Sequence, residues 1–426
     1  LSQDFAALPA SGGAMLVAGA LVALLWANSP FAHSYEEIWE TELGLRLASS
    51  AVVLPLREWI NQGLMTVFFF VIGLEVKREL TVGELASLRR AALPIGAALG
   101  GLVVPAAMYA FFNAGGPAAH GWGVPMSTDT AFALGLLALL GSRVPFSLKI
   151  FVAALAIADD VGAILVIALF YTADVSVPAL AVAALLFGIV WILNVCRVYR
   201  VLPYAVIGIC LWFAVLYSGI HATIAGVLLA SAIPTRSPPS TSRLLNQSIG
   251  AFNNLKAPLE GRSTDESHYQ AIVRTLETIV ERMLSPSQRL ERDLQPWSSY
   301  LALPLLALAN AGIPLALPAD AFENPVSLGI ALGLVVGKPV GIALGTWAVV
   351  AARVGELPDG VGWQRVIGAG FLCGIGFTMS IFIADAAFED PEMLTLVKLS
   401  VMAASVAAGL IGWSVLRRPE RMATPL

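Results

Sequence analysis

The feature that most constrains this chain is a recurring one: apolar runs of about 20 residues, long enough to cross a hydrocarbon core, separated by short segments that hold nearly all the charge. Of 426 residues, 58% are hydrophobic and 13% charged, against about 25% charged in soluble domains. So much apolar surface has no aqueous core to enter, which excludes an ordinary water-soluble enzyme. Divided at their charged or Gly/Pro-containing breaks, the runs predict twelve spans near 12–30, 59–76, 91–112, 121–140, 148–171, 176–195, 202–217, 218–234, 298–315, 326–351, 364–385 and 394–416. The expected fold is an all-α polytopic membrane protein: spans 1–8 within 1–234, a cytoplasmic amphipathic insert over 235–297, and spans 9–12 within 298–426.

The loop charges give this arrangement a direction. With the N-terminus placed inside, the inside loops and tail carry 21 of the 25 basic residues, among them Lys77, Arg78, Arg89, Arg90, Arg353 and Arg417. The outside loops carry Arg46 and Arg57, and Lys338 and Lys398 lie within spans. Cytoplasmic loops are enriched in Lys and Arg, so this alternation predicts both termini on the cytoplasmic side. The run Gly13 to Trp26 has no basic leader and no small-residue cleavage site after it, so a retained span is expected rather than a signal peptide. A net charge of −4 offers no basic face for nucleic acid. Cys196, Cys210 and Cys373 are scattered in apolar surroundings and read as small hydrophobes.

Two segments outside the spans carry pattern of their own. In 34–57, Leu43, Leu45 and Leu47 alternate with small or charged residues before Val52, Val53 and Leu54, which predicts a short β-hairpin. Such an exposed edge is either a solvated loop or a surface that pairs with a second copy of itself. In 235–297, Ile272, Leu276, Ile279, Val280, Met283 and Leu284 share one helical face; Ser263 and Glu266 offer a capping box, and Ser285-Pro286 is expected to end the helix. This element is expected to lie on the membrane surface or on the bundle.

Ionisable groups deep in spans cost several kcal/mol each and are functional candidates by default. Asp129, Asp159, Asp160 and Lys338 are the clear cases, while Lys398 sits near the outer end of span 12 and can snorkel. Three acids against one lysine leave a negative excess that a buried ion pair alone does not account for, and a cation site needs such an excess. At ~1.5 Å per residue, Asp129 and Asp159 each lie ~16 Å from the inside surface, near the middle of a ~30 Å core, so their carboxylates can share one cavity. Neighbours on a helix point ~100° apart, so Asp159 and Asp160 face different partners. One division sets Asp160 on the cavity as cation ligand and Asp159 against Lys338, a pair worth on the order of 4 kcal/mol before desolvation.

The backbone beside these acids is irregular. Span 4 contains Gly123-Val124-Pro125-Met126-Ser127-Thr128-Asp129, and span 11 contains Cys373-Gly374-Ile375-Gly376-Phe377-Thr378 at similar depth. Gly and Pro in mid-span suggest broken helices whose free amides and carbonyls, with the Thr128 and Thr378 hydroxyls, line a hydrated site. Close helix packing through small residues is the competing explanation.

Taken together, these stretches resemble the NhaA-type sodium/proton antiporter family. The matching segments are FFFVIGLEVKREL (Phe68 to Leu80), STDTAFALGLLALLGSRVP (Ser127 to Pro145), LAIADDVGAILVIALFYT (Leu155 to Thr172), SGIHATIAGVLL (Ser218 to Leu229), LALANAG (Leu306 to Gly312), VGKPVGI (Val336 to Ile342) and CGIGFTMSIFIA (Cys373 to Ala384). The resemblance implies twelve spans with inverted repeats, an architecture of which this family is itself a standing example. It implies that interrupted spans 4 and 11 cross in mid-membrane through Ser127, Gly374, Gly376, Phe377 and Thr378. It implies an Na⁺ site at Asp160, Asp159 and Thr128, with Lys338 paired to Asp159 and Asp129 offsetting helix-end charge. It assigns Glu75, Arg78, Glu79 and His221 to pH response. Finally, it implies electrogenic exchange of intracellular Na⁺ or Li⁺ for more than one H⁺ at the bacterial inner membrane, by a homodimer joined through the 34–57 hairpin.

The chain departs from the family pattern at Asn61-Gln62-Gly63, where asparagine-aspartate-glycine is expected, and in a longer segment between spans 8 and 9. No ATP-binding motif appears, so a proton gradient is the expected energy source and no cofactor is implied. An intramembrane aspartyl protease would also need two membrane acids, but no GxGD occurs and two of the acids are adjacent. A sodium-coupled solute symporter would need a sizeable organic pocket.

Overall fold

A computed structural model describes residues 4–47, 50–172, 175–236, 284–315 and 323–418, with side chains described from residue 11 onward except 45–52. The chain is built from helices. α1 (Asp4–Ala27) turns by 114° into α2 (Ala32–Glu40). Strands β1 (Glu42–Leu47) and β2 (Ser50–Pro55) follow, then α3 (Leu56–Thr81) and α4 (Leu88–Asn113). A 3₁₀ segment, Ala119–Met126, leads through extended residues 127–129 into α5 (Thr130–Leu139). Next come α6 (Phe146–Phe170), α7 (Val177–Val195), α8 (Val201–Leu216) and α9 (Thr223–Ala232). α10 (Pro286–Trp297) runs through a π turn into α11 (Leu303–Asn310). The chain closes with α12 (Pro325–Ala351), α13 (Trp363–Cys373), α14 (Phe377–Ala387) and α15 (Pro391–Arg417).

Among the described residues, six helices are long and apolar enough to cross a membrane: α3, α4, α6, α7, α12 and α15. The bent pairs α1/α2 and α13/α14 raise this to as many as eight, and α8 and α9 are shorter apolar helices. The fold is therefore that of a polytopic helical membrane protein carrying a small two-stranded sheet.

The β-hairpin forms where the alternating leucines placed it. β1 and β2 are antiparallel, with Glu42 opposite Pro55 and Leu45 opposite Val52, and the Trp59 indole of α3 donates to the Leu43 carbonyl at 2.9 Å. Helix α2, which precedes it, gave no signal in the sequence because nine residues, three of them glutamates, show no long period. It is held by tertiary contacts instead. Tyr35 donates to the Leu308 carbonyl at 2.7 Å and accepts from Gly312 N at 3.1 Å.

Ser285-Pro286, expected to end a helix, opens one. Ser285 accepts from Gln288 N at 3.3 Å and donates its own amide to Gln288 Oε1 at 3.2 Å, while Pro286 fills the first helical position, where its missing N–H costs nothing. The charged stretch before α11 thus continues into that helix through the π turn. The facing residues Ile272, Leu276, Ile279, Val280 and Met283 and the Ser263/Glu266 box lie outside the described residues.

α4 and α12 pack backbone against backbone. A Cβ on Gly100 would collide with the Gly341 carbonyl, one on Gly341 with the Gly100 carbonyl, and one on Gly345 with the Gly96 carbonyl. Lipid gives helices no hydrophobic reason to associate, so close contact through small residues supplies dispersion in its place. This contact also positions the buried lysine. A Cβ on Gly101 would stand 3.6 Å from Lys338 Cδ. Immediately before Lys338, residues Gly333–Gly337 of α12 form a π turn, a rare deviation that clusters at functional sites.

Candidate ion-binding site

Two interrupted helices meet in this fold. The first break separates the 3₁₀ segment from α5, and the second separates α13 from α14, which bend by 49°. Their backbones bond to each other: Asp129 N donates to the Ile375 carbonyl at 2.7 Å, and Thr128 Oγ1 to the Cys373 carbonyl at 2.7 Å. Ser127 Oγ lies 3.1 Å from Ser380 Oγ, which donates to the Val124 carbonyl at 2.7 Å. The π turn of α12 packs against both breaks, since a Cβ on Gly333 would strike the Pro125 ring, and Gly374 has no room for a side chain beside the Leu334 carbonyl. Phe377 N donates to Ser405 Oγ at 3.2 Å, and its ring meets Phe132 edge-on with centroids 5.3 Å apart. Gly376 is hemmed in by Ser380 and Leu334.

Asp129 serves both of the new helix starts. Its Oδ1 accepts from Phe132 N at 3.2 Å in the first turn of α5; its Oδ2 accepts from Thr378 N at 3.2 Å and from Thr378 Oγ1 at 2.5 Å in the first turn of α14. A helix N-terminus carries roughly half a positive charge, so one carboxylate balances about two of them. At 2% exposure, both Asp129 oxygens are bonded to these helix starts.

The neighbouring acids of α6 divide as the 100° rotation between them requires. Lys338 Nζ donates to both oxygens of Asp159 at 2.8 Å, with the lysine side chain 0% and the aspartate side chain 1% exposed. Asp160, 3% exposed, accepts from Thr130 Oγ1 at 3.1 Å on Oδ2, and among the described residues no side-chain cation is paired with it. Thr128, expected beside Asp160, instead gives its hydroxyl to Cys373. The first turn of α5 brings Thr130 to the acid in its place.

One buried carboxylate is thus neutralised by a lysine, an adjacent one keeps a single neutral donor, and a third caps two broken helices. Across residues 3–416 the sequence matches the profile of a family described as Na+/H+ antiporter 1. The chain belongs to this Na+/H+ antiporter family. Three proteins named Na(+)/H(+) antiporter NhaA illustrate how near its relatives are. That of Oleidesulfovibrio alaskensis is 48% identical, covering 97% of this chain and 93% of the relative. That of Koribacter versatilis is 45% identical, covering 99% and 92%, and that of Escherichia coli 44%, covering 96% and 95%. The antiporter is accordingly a transporter and not an enzyme.

At the end of α3 opposite the hairpin, the antiporter assembles a second charged cluster. Arg78 reaches Glu75 at 3.7 Å, Glu79 at 3.0 Å and Glu291 of α10 at 2.6 Å. Glu291 was not anticipated: 213 residues separate it from Arg78, and no local pattern marks such a partner. Burial pushes the Glu291 carboxyl above its ordinary value, the Arg78 guanidinium opposes that shift, and Glu79 adds to it. Lys77 Nζ donates to the Ser231 carbonyl at 2.7 Å and also to that of Ile233. His221 belongs to another neighbourhood, just before α9, where its ring meets Phe382 of α14 with centroids 6.1 Å apart.

Lys398, expected to snorkel, is instead buried and bonded to Asp385 at 2.7 Å. Asp385 was read only as the end of span 11, because a single acid at a span terminus looks solvated until its partner is known. A cavity of about 540 Å³ lies between α3, α8, α9 and α10, lined by apolar side chains such as Phe70, Tyr204, Trp212 and Leu294. None of the membrane acids lines it.

Proposed function

We propose that this antiporter exchanges intracellular Na⁺ or Li⁺ for more than one external proton, electrogenically and by alternating access, with metal ion and protons competing for Asp160. The observation that carries this reading is the asymmetry between adjacent acids. Lys338 cancels Asp159, while Asp160 keeps an oxygen surface with one hydroxyl donor in a water-poor interior. A lone buried carboxylate is costly unless it takes a proton or a cation, and both cannot occupy it at once. Thr130 supplies the neutral hydroxyl beside Asp160, while Thr128, on the other side of Asp129, is bonded to the Cys373 carbonyl. Regulation of exchange by pH belongs to the same reading, through the Arg78 cluster with Glu75 and Glu79 and, separately, through His221 beside Phe382.

The architecture that goes with it is twelve spans with inverted repeats, spans 4 and 11 crossing in mid-membrane, and the 235–297 insert and both termini at the cytoplasmic face of a bacterial inner membrane. The broken helices support this, because irregular backbone at membrane depth is tolerated only when buried in protein or lining a cavity. The hairpin supplies an edge for a homodimer. In proteoliposomes, Na⁺- or Li⁺-driven proton movement reported by a pH dye is expected in the wild type and abolished in Asp160→Asn. Retained exchange in that variant refutes the assignment.

A further inference from the structure

The structure holds a small cleft away from Asp160 that carries several polar side chains. Three helices contribute one stripe each to it: Asn61 and Met65 of α3, Leu306 and Asn310 of α11, and Thr378, Ile381 and Asp385 of α14. Its volume of about 10 Å³ is near the threshold for holding a single water. One end is Thr378, whose hydroxyl caps Asp129. The other is Asp385, seven residues further along α14, or ~10 Å at 1.5 Å per residue. Midway, Asn61 and Asn310 join by reciprocal amide bonds of 3.1 and 2.6 Å, and each amide carbonyl keeps a second lone pair.

Asp385 is only half used. Lys398 Nζ holds Oδ1 at 2.7 Å, while Oδ2 is buried without a hydrogen-bond partner. A buried unpartnered carboxylate oxygen costs the desolvation of a charged acceptor, a cost relieved when a cation or water arrives. Just beyond it, at the start of α15, Glu389, Asp390 and Glu392 are exposed, and an acidic mouth raises the local concentration of cations.

We propose that this cleft is the external cation passage and that Asp385 is its staging carboxylate: Na⁺ rests against the free Oδ2 and the Asn61 and Asn310 carbonyls between the outer surface and the broken helices. Lys398 keeps the station weak. It neutralises most of the Asp385 charge, so an ion is attracted but not trapped, as conduction through successive sites requires. The inference rests on the exchange reading and on the topology that puts Asn61, Asn310 and Asp385 at the outer side.

The test is half-saturating Na⁺ measured separately on the two faces of the full chain in oriented proteoliposomes. Asp385→Asn raises the external value about tenfold, one charged ligand being lost, and the internal value by less than about twofold. Lys398→Met lowers the external value, because the carboxylate is then uncompensated. The neutral double variant Asp385→Asn/Lys398→Met keeps the external defect. A structural ion pair predicts otherwise: both single variants shift the two faces alike and the double variant returns to wild type, either of which overturns the proposal. Should Asp385→Asn fail to fold, Asn61→Leu leaves the ion pair intact and still raises the external value; no shift there also overturns it. Wild-type vesicles that exchange normally while these variants behave symmetrically sink the passage alone, whereas wild-type vesicles without Na⁺-driven proton movement sink the exchange reading and this inference together.

Discussion

Two lysine–aspartate pairs of nearly equal length differ in what surrounds them. Lys338–Asp159 closes at 2.8 Å with both side chains essentially dry, whereas Lys398–Asp385 closes at 2.7 Å with 9% and 24% of the side chains exposed. The central pair is bidentate and leaves no carboxylate oxygen over; the outer pair leaves Oδ2 unpartnered. Equal distance therefore does not mean equal role. In the dry site, removing one partner strands a charge in low dielectric, while in the outer site water screens the pair and softens both its formation and its loss. On the proposed reading, the inner pair is a fixed neutral wall beside Asp160, and the outer one a partial charge that stays available to an ion.

The largest expected effect tests what the neutral wall is for. Asp160→Asn, which touches neither pair, should reduce Na⁺-driven exchange in proteoliposomes to the empty-vesicle baseline. Next, Lys338→Ala should destabilise the fold by about 3–5 kcal/mol, because Asp159 is left buried and unpaired. Thermal unfolding in detergent would show a large drop, and the double variant Asp159→Asn/Lys338→Gln should recover most of it. If the single and double variants melt alike, the contrast in burial has no energetic meaning. By the same logic Lys398→Met should cost clearly less than Lys338→Ala, because a quarter of the Asp385 side chain still meets solvent. An effect as large as that of Lys338→Ala would erase the distinction between the two pairs.

The smallest effect concerns the Arg78–Glu291 pair, in which the arginine side chain is 35% and the glutamate side chain 8% exposed. Burial raises the Glu291 pKa, so the fold binds a proton there more tightly than the unfolded chain does. Stability from this group is therefore full below the ordinary carboxylate value and falls as pH rises from that value through the raised one. Hydrogen exchange of the α10 amides, corrected for intrinsic rate, should show protection declining over that window, with Arg78 limiting the decline. Glu291→Gln should flatten the profile; an unchanged profile would mean that Glu291 does not set the docking of α10.

Much of the site was visible in the chain before folding. Asp159 and Asp160 announce themselves because charge is rare in apolar runs, and Gly123, Pro125, Gly374 and Gly376 mark the breaks because each disfavours a continuous helix. The hairpin at Glu42–Pro55 follows from alternation of period two. Thr130 was missed beside Asp160 because both Thr128 and Thr130 flank the break, and only the direction in which α5 leaves it selects one of them. Glu291 and Asp385 were missed because a charge near a span end has a solvated explanation at hand. The start at Ser285-Pro286 was read in reverse, since the same dipeptide can follow one helix and cap the next.

Local physics thus settled from sequence which segments enter lipid, which acids pay for being there and where the helices cannot continue, each being a property of neighbouring residues and their medium. Tertiary structure decided which lysine meets which aspartate, which hydroxyl serves Asp160, and that Asp129 spans two helix starts. Those outcomes join residues as far as 249 positions apart, where no periodicity reaches and only the packing of α4, α6, α12 and α14 fixes the distances.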